Sequence, residues 1–302
     1  MTAKLLVTGA TGTIGTRLVA ALGGARVLSR TPGRVAGMEG AIDARRWDGR
    51  AALDADVFAG VEAIVHLAGE PVGEGRWTAR KKLAIQGSRV EGTRALVASL
   101  RAAGARPAVL VCASAVGYYG DRGEETLDET SAPGRGFLAE VCRAWEGEAL
   151  AARALGVRVI CVRTGVVLDI AGGALPRMVL PFRVGVGGPL GSGRQWVPWI
   201  HVADVVRLVA HAIARPDVEG PINAVAPAPV RNAEFARALG AVLHRPALVR
   251  APAFALRAAL GEAAELALAS QRVVPALAER SGFSFSFPAL PEALSDLLAP
   301  PR

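Results

Sequence analysis

The stretch Leu5-Leu6-Val7-Thr8-Gly9-Ala10-Thr11-Gly12-Thr13-Ile14-Gly15 decides how the rest of the chain is read. Its opening is an apolar run of strand length, and Leu18, Val19 and Leu22 then recur with helical spacing. Three glycines spaced three apart stand between them, so the segment predicts a strand, a tight turn and a helix. A side chain on that turn would hold the backbone away from a pyrophosphate. The helix start offers the same anion unpaired N–H groups and a partial positive charge. Gly9, Thr11, Gly12, Thr13, Ile14 and Gly15 are therefore candidate dinucleotide-binding residues. Gly-x-x-Gly-x-x-Gly differs from the commoner Gly-x-Gly-x-x-Gly fingerprint. A glycine turn without a ligand is the alternative, and the strand before and the helix after favour the nucleotide.

The second strand, Arg26-Val27-Leu28, ends in Ser29-Arg30-Thr31 before Pro32-Gly33 breaks the chain. An NAD site usually places a carboxylate there for the ribose 2′-hydroxyl. Here no acid stands at that position. Ser29 can donate a hydrogen bond and Arg30 can fork onto a 2′-phosphate, which predicts NADP over NAD. The alternative is a solvated loop arginine.

The chain has 302 residues, enough for an α/β domain with an appended lobe. Its 35 Lys and Arg against 27 Asp and Glu give a net charge of +8, which raises the question of nucleic acid. The arginines are scattered singly, and the lysines are only Lys4, Lys81 and Lys82. Phosphate-backbone binding needs a stripe, so nucleic acid is not an expected partner. No basic run precedes an apolar core segment near Lys4, and no charge-free apolar stretch approaches the ~18 residues of a span. A cytoplasmic protein with no membrane partner is expected. Cys112, Cys142 and Cys161 form no Cys-x-x-Cys pair and read as buried, inert thiols, with no metal site.

Further along, strands at Ala63–Leu67, Ala108–Ala113, Val157–Arg163 and Ile222–Val225 alternate with helices at about Thr78–Leu100 and Phe137–Leu155. That alternation predicts an α/β fold with a parallel, doubly wound sheet. Leu67, Ala68 and Gly69 are small or apolar residues at a strand's C-terminal edge, where they leave room for a cofactor. Beyond Gly165 the pattern changes to Gly- and Pro-rich loops and short alanine-rich helices. The predicted division is a nucleotide-binding domain of residues 1–168 plus about 200–226, and a smaller substrate lobe of about 169–199 and 227–302. On the lobe side, Gly185, Gly187, Gly188, Gly191 and Gly193 precede Arg194, Trp196, Trp199 and His201. An arginine with two tryptophans suits a planar or anionic ligand. A structural tryptophan pair, and a structural histidine at His201, are the alternatives.

Taken together, the motifs VTGATGTIG (Val7–Gly15), LSR (Leu28–Arg30), HLAGE (His66–Glu70), RWTARKK (Arg76–Lys82), GSR (Gly87–Arg89), SAVGYYG (Ser114–Gly120), RTGVVL (Arg163–Leu168) and LGSGRQWVPWIHVADV (Leu190–Val205), with NAVAP (Asn223–Pro227) and NAEFARALG (Asn232–Gly240), resemble an atypical short-chain dehydrogenase/reductase. The likeness is to the nucleoside-diphosphate-sugar epimerase-like type, among its uncharacterised epimerase-family proteins, over essentially the whole chain. It implies a Rossmann-type sheet and NADP held by the glycine loop, Ser29, Arg30, Leu67, Ala68, Arg89 and the backbone near Val167.

Against that superfamily one departure stands out. Its chemistry uses a tyrosine to move the proton at the reacting carbonyl, with a lysine four residues later lowering the tyrosine's pKa. Here Phe137 and Val141 occupy the two positions, and no Tyr-x-x-x-Lys exists anywhere, since the last lysine is Lys82. The substitutes are Ser114, at a strand end, and Tyr118 or Tyr119, with Arg122 nearby; His66, inside an apolar strand, reads as core. The expected function is an oxidoreductase using NADP(H) on an unknown carbonyl or enone. A non-catalytic NADP(H)-binding redox sensor or assembly factor is the alternative, and a nucleotide-sugar epimerase or dehydratase the weaker one.

Overall fold

In the computed structural model, which describes residues 3–299, the opening run is an interior strand of a seven-stranded sheet. The strands are β1 (Leu5–Thr8), β2 (Ala25–Ser29), β3 (Ala41–Arg46), β4 (Ala63–His66), β5 (Val109–Ala115), β6 (Arg158–Thr164) and β7 (Gly220–Ala224). All pair in parallel, in the spatial order β7-β6-β5-β4-β1-β2-β3. The chain moves outward from β1 to β3, then crosses back to β4 and continues the other way. Strand order thus reverses between β1 and β4, where the crevice at the strands' carboxyl ends accepts ligands in folds of this kind.

The helices of eight or more residues are α1 (Thr13–Leu22), α2 (Ala79–Ala102), α3 (Phe137–Leu150), α4 (Leu175–Arg183), α5 (Val202–Ala214), α6 (Asn232–Val242), α7 (Ala253–Leu260) and α8 (Leu290–Leu298). Because strand side chains alternate, each central strand serves two cores. Val7, Val65 and Val111 pack toward α1 and α5 through Leu18, Val19, Val205 and Val209. Leu6, Ile64, Leu110 and Cys112 pack toward α2 and α3 through Leu96, Val97, Leu100 and Trp145. Thr78 caps α2 by accepting from Lys81 N at 3.2 Å.

Edge strand β3 has no apolar signature: it reads Ala-Ile-Asp-Ala-Arg-Arg, with Ile42 exposed, and pairing with β2 alone defines it. The helix expected to run to Leu155 is α-helical to Leu150 and finishes as a 3₁₀ turn. A separate apolar cluster unites Leu168, Val179 and Phe182 with Trp199, Phe235, Leu239, Leu290 and Leu294, so α4, α6 and α8 share a core of their own. Part of the C-terminal stretch returns to the sheet. Ala278 and Phe283 belong to the α1/α5 core, and Arg272–Val273 pairs in parallel with Thr126–Leu127. Among the described residues, no helix is long and apolar enough to cross a membrane. All three cysteines are buried and free.

Candidate functional site

At the carboxyl end of β1 the chain turns on Gly9, whose φ is +72°, and Gly12 N donates to Gly9 O at 3.0 Å before α1 begins. The three glycines differ in what they answer to. A Cβ on Gly9 would lie 2.7 Å from Leu67 C, and one on Gly15 would lie 2.3 Å from Gly9 O. The protein's own packing therefore dictates both. A Cβ on Gly12 would meet only Gly9 O, at 3.3 Å, and otherwise project into open space. Gly12 is exposed, as is Thr11, while Thr13 and Ile14 are half-buried. No side chain caps α1 and no acid stands in its first turn, so its amides remain available to an anion. A pyrophosphate fits this cradle.

Beneath it, a chain of hydrogen bonds locks the β1 and β4 ends together. Ala68 N donates to Thr8 Oγ1 at 3.1 Å, and Thr8 Oγ1 lies 2.7 Å from His66 Nδ1. His66 Nε2 lies 3.1 Å from Thr93 Oγ1, which also accepts from Trp145 Nε1 at 2.8 Å. Each ring nitrogen of His66 thus has a threonine hydroxyl as its partner, one donating and one accepting in either neutral tautomer. Full burial pushes the His66 pKa down to about 4, so the ring is neutral. His66 is core, as its apolar strand implies.

Around this floor the other cofactor candidates gather. Leu67 and Ala68 are half-buried beside Gly9, and Gly69 is exposed. Arg89, on α2, reaches under Gly69: its Nη1 donates to Glu70 O at 2.9 Å and to Ile85 O at 3.2 Å, with the guanidinium 5.1 Å from the Trp145 ring. Burial draws its pKa below the ordinary value. Arg89 holds the β4 loop in place. Ser29, half-buried at the end of β2, accepts from Thr31 N at 3.1 Å, and Arg30 beside it is exposed. Arg46, in register with Ser29 across β2 and β3, is a second exposed base there that sequence reasoning passed over. Val167 lies in a short strand, Val166–Leu168, from which the chain runs over α1. Asp169 accepts from Arg17 Nε and Nη2 at 2.9 and 2.6 Å, and a Cβ on Gly172 would touch Thr13 Oγ1 at 2.8 Å.

The expected proton-donor set falls into two groups. Ser114 is buried and donates to Glu146 Oε1 at 2.6 Å. Arg163, equally buried, donates through Nε and Nη2 to the same carboxylate at 2.9 and 2.8 Å. Its Nη1 donates to the Tyr119 hydroxyl at 3.0 Å, and that hydroxyl donates to Asn223 Oδ1 at 2.7 Å. Glu129 completes the cluster by accepting from Asn223 N and Leu277 N. Tyr119 is fully buried, and burial pushes its pKa up to about 12. Tyr118 is different. Its ring is half-buried with the Arg163 guanidinium 3.5 Å away, and its hydroxyl has no hydrogen-bond partner among the described residues. Glu146, Arg163, Glu129 and Asn223 were missed in the sequence. The available signal was Arg163, a charged residue inside an apolar strand. Phe137 meets Trp77 edge-on at 5.5 Å and Lys82 at 5.3 Å, and Val141 is buried, so the two positions are packing positions.

On the lobe side the structure corrects two expectations. Trp199 is 1 % exposed inside the lobe core and donates to Ala228 O. His201 is 3 % exposed, caps α5 by accepting from Ala203 N, and stacks on Phe287 at 3.8 Å with Asp296 3.2 Å from Nε2. Trp199 spends its indole N–H and His201 its Nδ1 and one ring face within the protein, while His201 Nε2 makes no hydrogen bond to the described residues. Arg194 is exposed. Trp196 is half-buried between Arg231 and Arg272, at 4.2 and 4.8 Å, and donates to Glu124. Arg231 forks onto Glu124 at 2.8 and 2.7 Å, holding that carboxyl down to about 2. Of the glycines before Arg194, Gly187 admits the Phe182 ring and Gly188 the Val249 backbone, so their close approach is to the protein itself. A cavity of about 930 Å³ opens between the loop Asp121–Arg135 and residues 257–269.

Residues 5–225 match the family described as NAD dependent epimerase/dehydratase, and residues 251–297 match a domain of unknown function, DUF1731. An Arabidopsis thaliana protein, the chloroplastic homolog of epimerase family protein SDR39U1, is 43% identical over 97% of this chain and 86% of its own. An epimerase family protein of Mycobacterium tuberculosis is 41% identical over 97% of this chain and 96% of its own. The crystal structure of human epimerase family protein SDR39U1 (isoform 2) with NADPH superposes with a TM-score of 0.86. It is 34% identical and covers 97% of this chain and 98% of that one.

Proposed function

This chain belongs to the NAD dependent epimerase/dehydratase family, and on that premise we propose that it binds NADPH and acts as an oxidoreductase on a small carbonyl or enone compound. The observation that carries the reading is Gly12, which faces open space at an uncapped helix start where its neighbours Gly9 and Gly15 are fixed by packing. The human relative's structure contains NADPH, and Ser29 with Arg30 offers a serine and an arginine where an NAD site would place an acid. Bound NADPH would supply a hydride. The protein's part is to hold the dinucleotide on Gly9–Gly15, Leu67–Gly69 and Val167, to orient the carbonyl and to provide a proton. Tyr118 is the member of the expected trio whose hydroxyl makes no hydrogen bond to the described residues. Ser114 and Tyr119 shape the strand ends from within the core. Arg194 and Trp196 remain the candidates for the substrate's distal end. Three unpaired thiols support work in a reducing compartment such as the cytoplasm.

Calorimetry tests the cofactor reading. NADPH is expected to bind well ahead of NADH, and Gly12→Val to weaken NADPH by about 100-fold or more while circular dichroism stays native. Equal affinities for the two cofactors, or tight binding by the valine variant, would overturn it. A second reading, a non-catalytic NADP(H) sensor, is favoured by the packing roles of Phe137 and Val141. It predicts binding without turnover across a broad carbonyl screen.

A further inference from the structure

The 930 Å³ cavity has the size of a small-ligand site, and its two walls come from different parts of the chain. One wall is the loop that leaves β5, from Asp121 to Arg135; the other is the end of α7 and the segment after it, within the DUF1731 match. Three carboxylates line it, and two are occupied. Asp121 accepts from Gly123 N and Ser270 N, and Glu262 is paired with Lys82. Glu265 is half-buried and free of hydrogen bonds to the described residues. It stands against the entry to α3: a Cβ built on Gly136 would lie 3.5 Å from its Oε1. Arg135 and Arg257, one on each wall, carry guanidiniums with no ion-pair partner among the described residues.

Resting on the oxidoreductase reading above, we propose that this cavity takes a small anionic carbonyl compound and that Glu265 is the catalytic acid. Arg135 and Arg257 face the substrate's anionic end, since a guanidinium forks onto a carboxylate or phosphate. As hydride reaches the carbonyl carbon, the C=O π pair moves to oxygen, and the Glu265 O–H gives its proton to that oxygen. The products are the alcohol, NADP⁺ and a Glu265 carboxylate, which regains its proton from water. Burial, with Asp121 and Glu262 adding their charges, pushes the Glu265 carboxyl above the ordinary range against the opposing pull of Lys82, which keeps an acid available nearer neutrality. Arg122, also on the wall, is committed to Glu125 and Ala132 O. The region of unknown function thereby gains a role, supplying one proton donor and one anion contact to the site.

NADPH loading is measured first by calorimetry, so that a failure of cofactor binding counts against the oxidoreductase reading alone. The loaded protein is then given pyruvate and 2-oxoglutarate as anionic carbonyls and methylglyoxal as a neutral one, with NADPH oxidation followed by absorbance. At least about tenfold higher kcat/KM for the acids is expected, and Arg257→Ala should raise their KM about tenfold. Glu265→Gln should lower kcat about 100-fold or more with NADPH affinity unchanged, Glu265→Asp should restore part of it, and kcat should fall as pH rises through the Glu265 pKa. Independently of turnover, the ¹³C-labelled carboxyl resonance that disappears in Glu265→Gln should move when oxamate, an unreactive planar 2-oxo acid mimic, is added. Equal use of acids and methylglyoxal, native kcat in Glu265→Gln, control by Tyr118→Phe in its place, or an unmoved resonance would each overturn the proposal. Turnover of none of the carbonyls would overturn it too, and with tight NADPH binding it would favour the sensor.

Discussion

The glycine turn after β1 and the polar cluster at the end of β5 are built from opposite materials. The dinucleotide end is backbone: Gly9, Gly12 and Gly15, the first amides of α1, and the small residues after β4. The end where a proton donor was expected is a knot of long polar side chains, Ser114, Glu146, Arg163, Tyr119 and Asn223, brought from four separated segments. A backbone site keeps its function when it presents nothing but N–H groups. A side-chain site keeps its function only if some polar group stays uncommitted, and in this knot none of the named groups does. Hydroxyls at an expected address can be structural when their hydrogen bonds are already made.

Removing Arg163 strikes this contrast hardest. Arg163→Met leaves Glu146 buried without its charge partner, and denaturant titration should show about 3–5 kcal/mol less stability. NADPH affinity should stay nearly native, and the Glu146→Gln/Arg163→Met double variant should lose less than the two single losses together. A stability loss under about 1 kcal/mol would mean that the knot is not a structural post.

The floor of the cradle should show itself in pH. His66 titrates near 4 in the native protein against its ordinary 6.5, so between those values the unfolded chain holds more protons. Its contribution to stability is complete above about pH 6.5 and is lost as pH falls toward 4, by about 3 kcal/mol on the order of magnitude. Urea titrations near pH 7 and near pH 4 measure it. His66→Gln should flatten that slope; an unchanged slope would assign the acid sensitivity elsewhere.

Arg30→Ala tests the smallest effect. It should cost roughly 1–3 kcal/mol for NADPH and little for NADH, because a charge-assisted contact to the 2′-phosphate is lost. If NADPH binding is unchanged, Arg46, across the strand pair from Ser29, is the next base to remove.

Much of the fold was legible because its signals are local. The apolar runs at Leu5, Ala63, Val109 and Arg158 lie in buried parallel strands, and the glycines at 9 and 15 are required by contacts within the same turn or with the adjacent β4 end. Strand β3 was not legible, because an edge strand with one exposed face and charged residues has no period to betray it. Trp199 and His201 stayed open between ligand and core for a related reason: an aromatic or imidazole near a glycine loop looks the same in sequence whichever it faces. Glu265, one of two acids in the alanine-rich stretch that also holds Glu262, carries no motif at all.

By itself, then, the sequence determined the strand–turn–helix at Leu5–Gly15, the doubly wound alternation, the basic end of β2 and the absence of Tyr-x-x-x-Lys. All of these rest on the backbone or on residues adjacent in the chain. Only the tertiary structure decided which polar side chains remain free. Hydrogen bonds between Ser114 and Glu146, or Tyr119 and Asn223, join residues 32 and 104 positions apart, and burial settles which atoms have water left to lose.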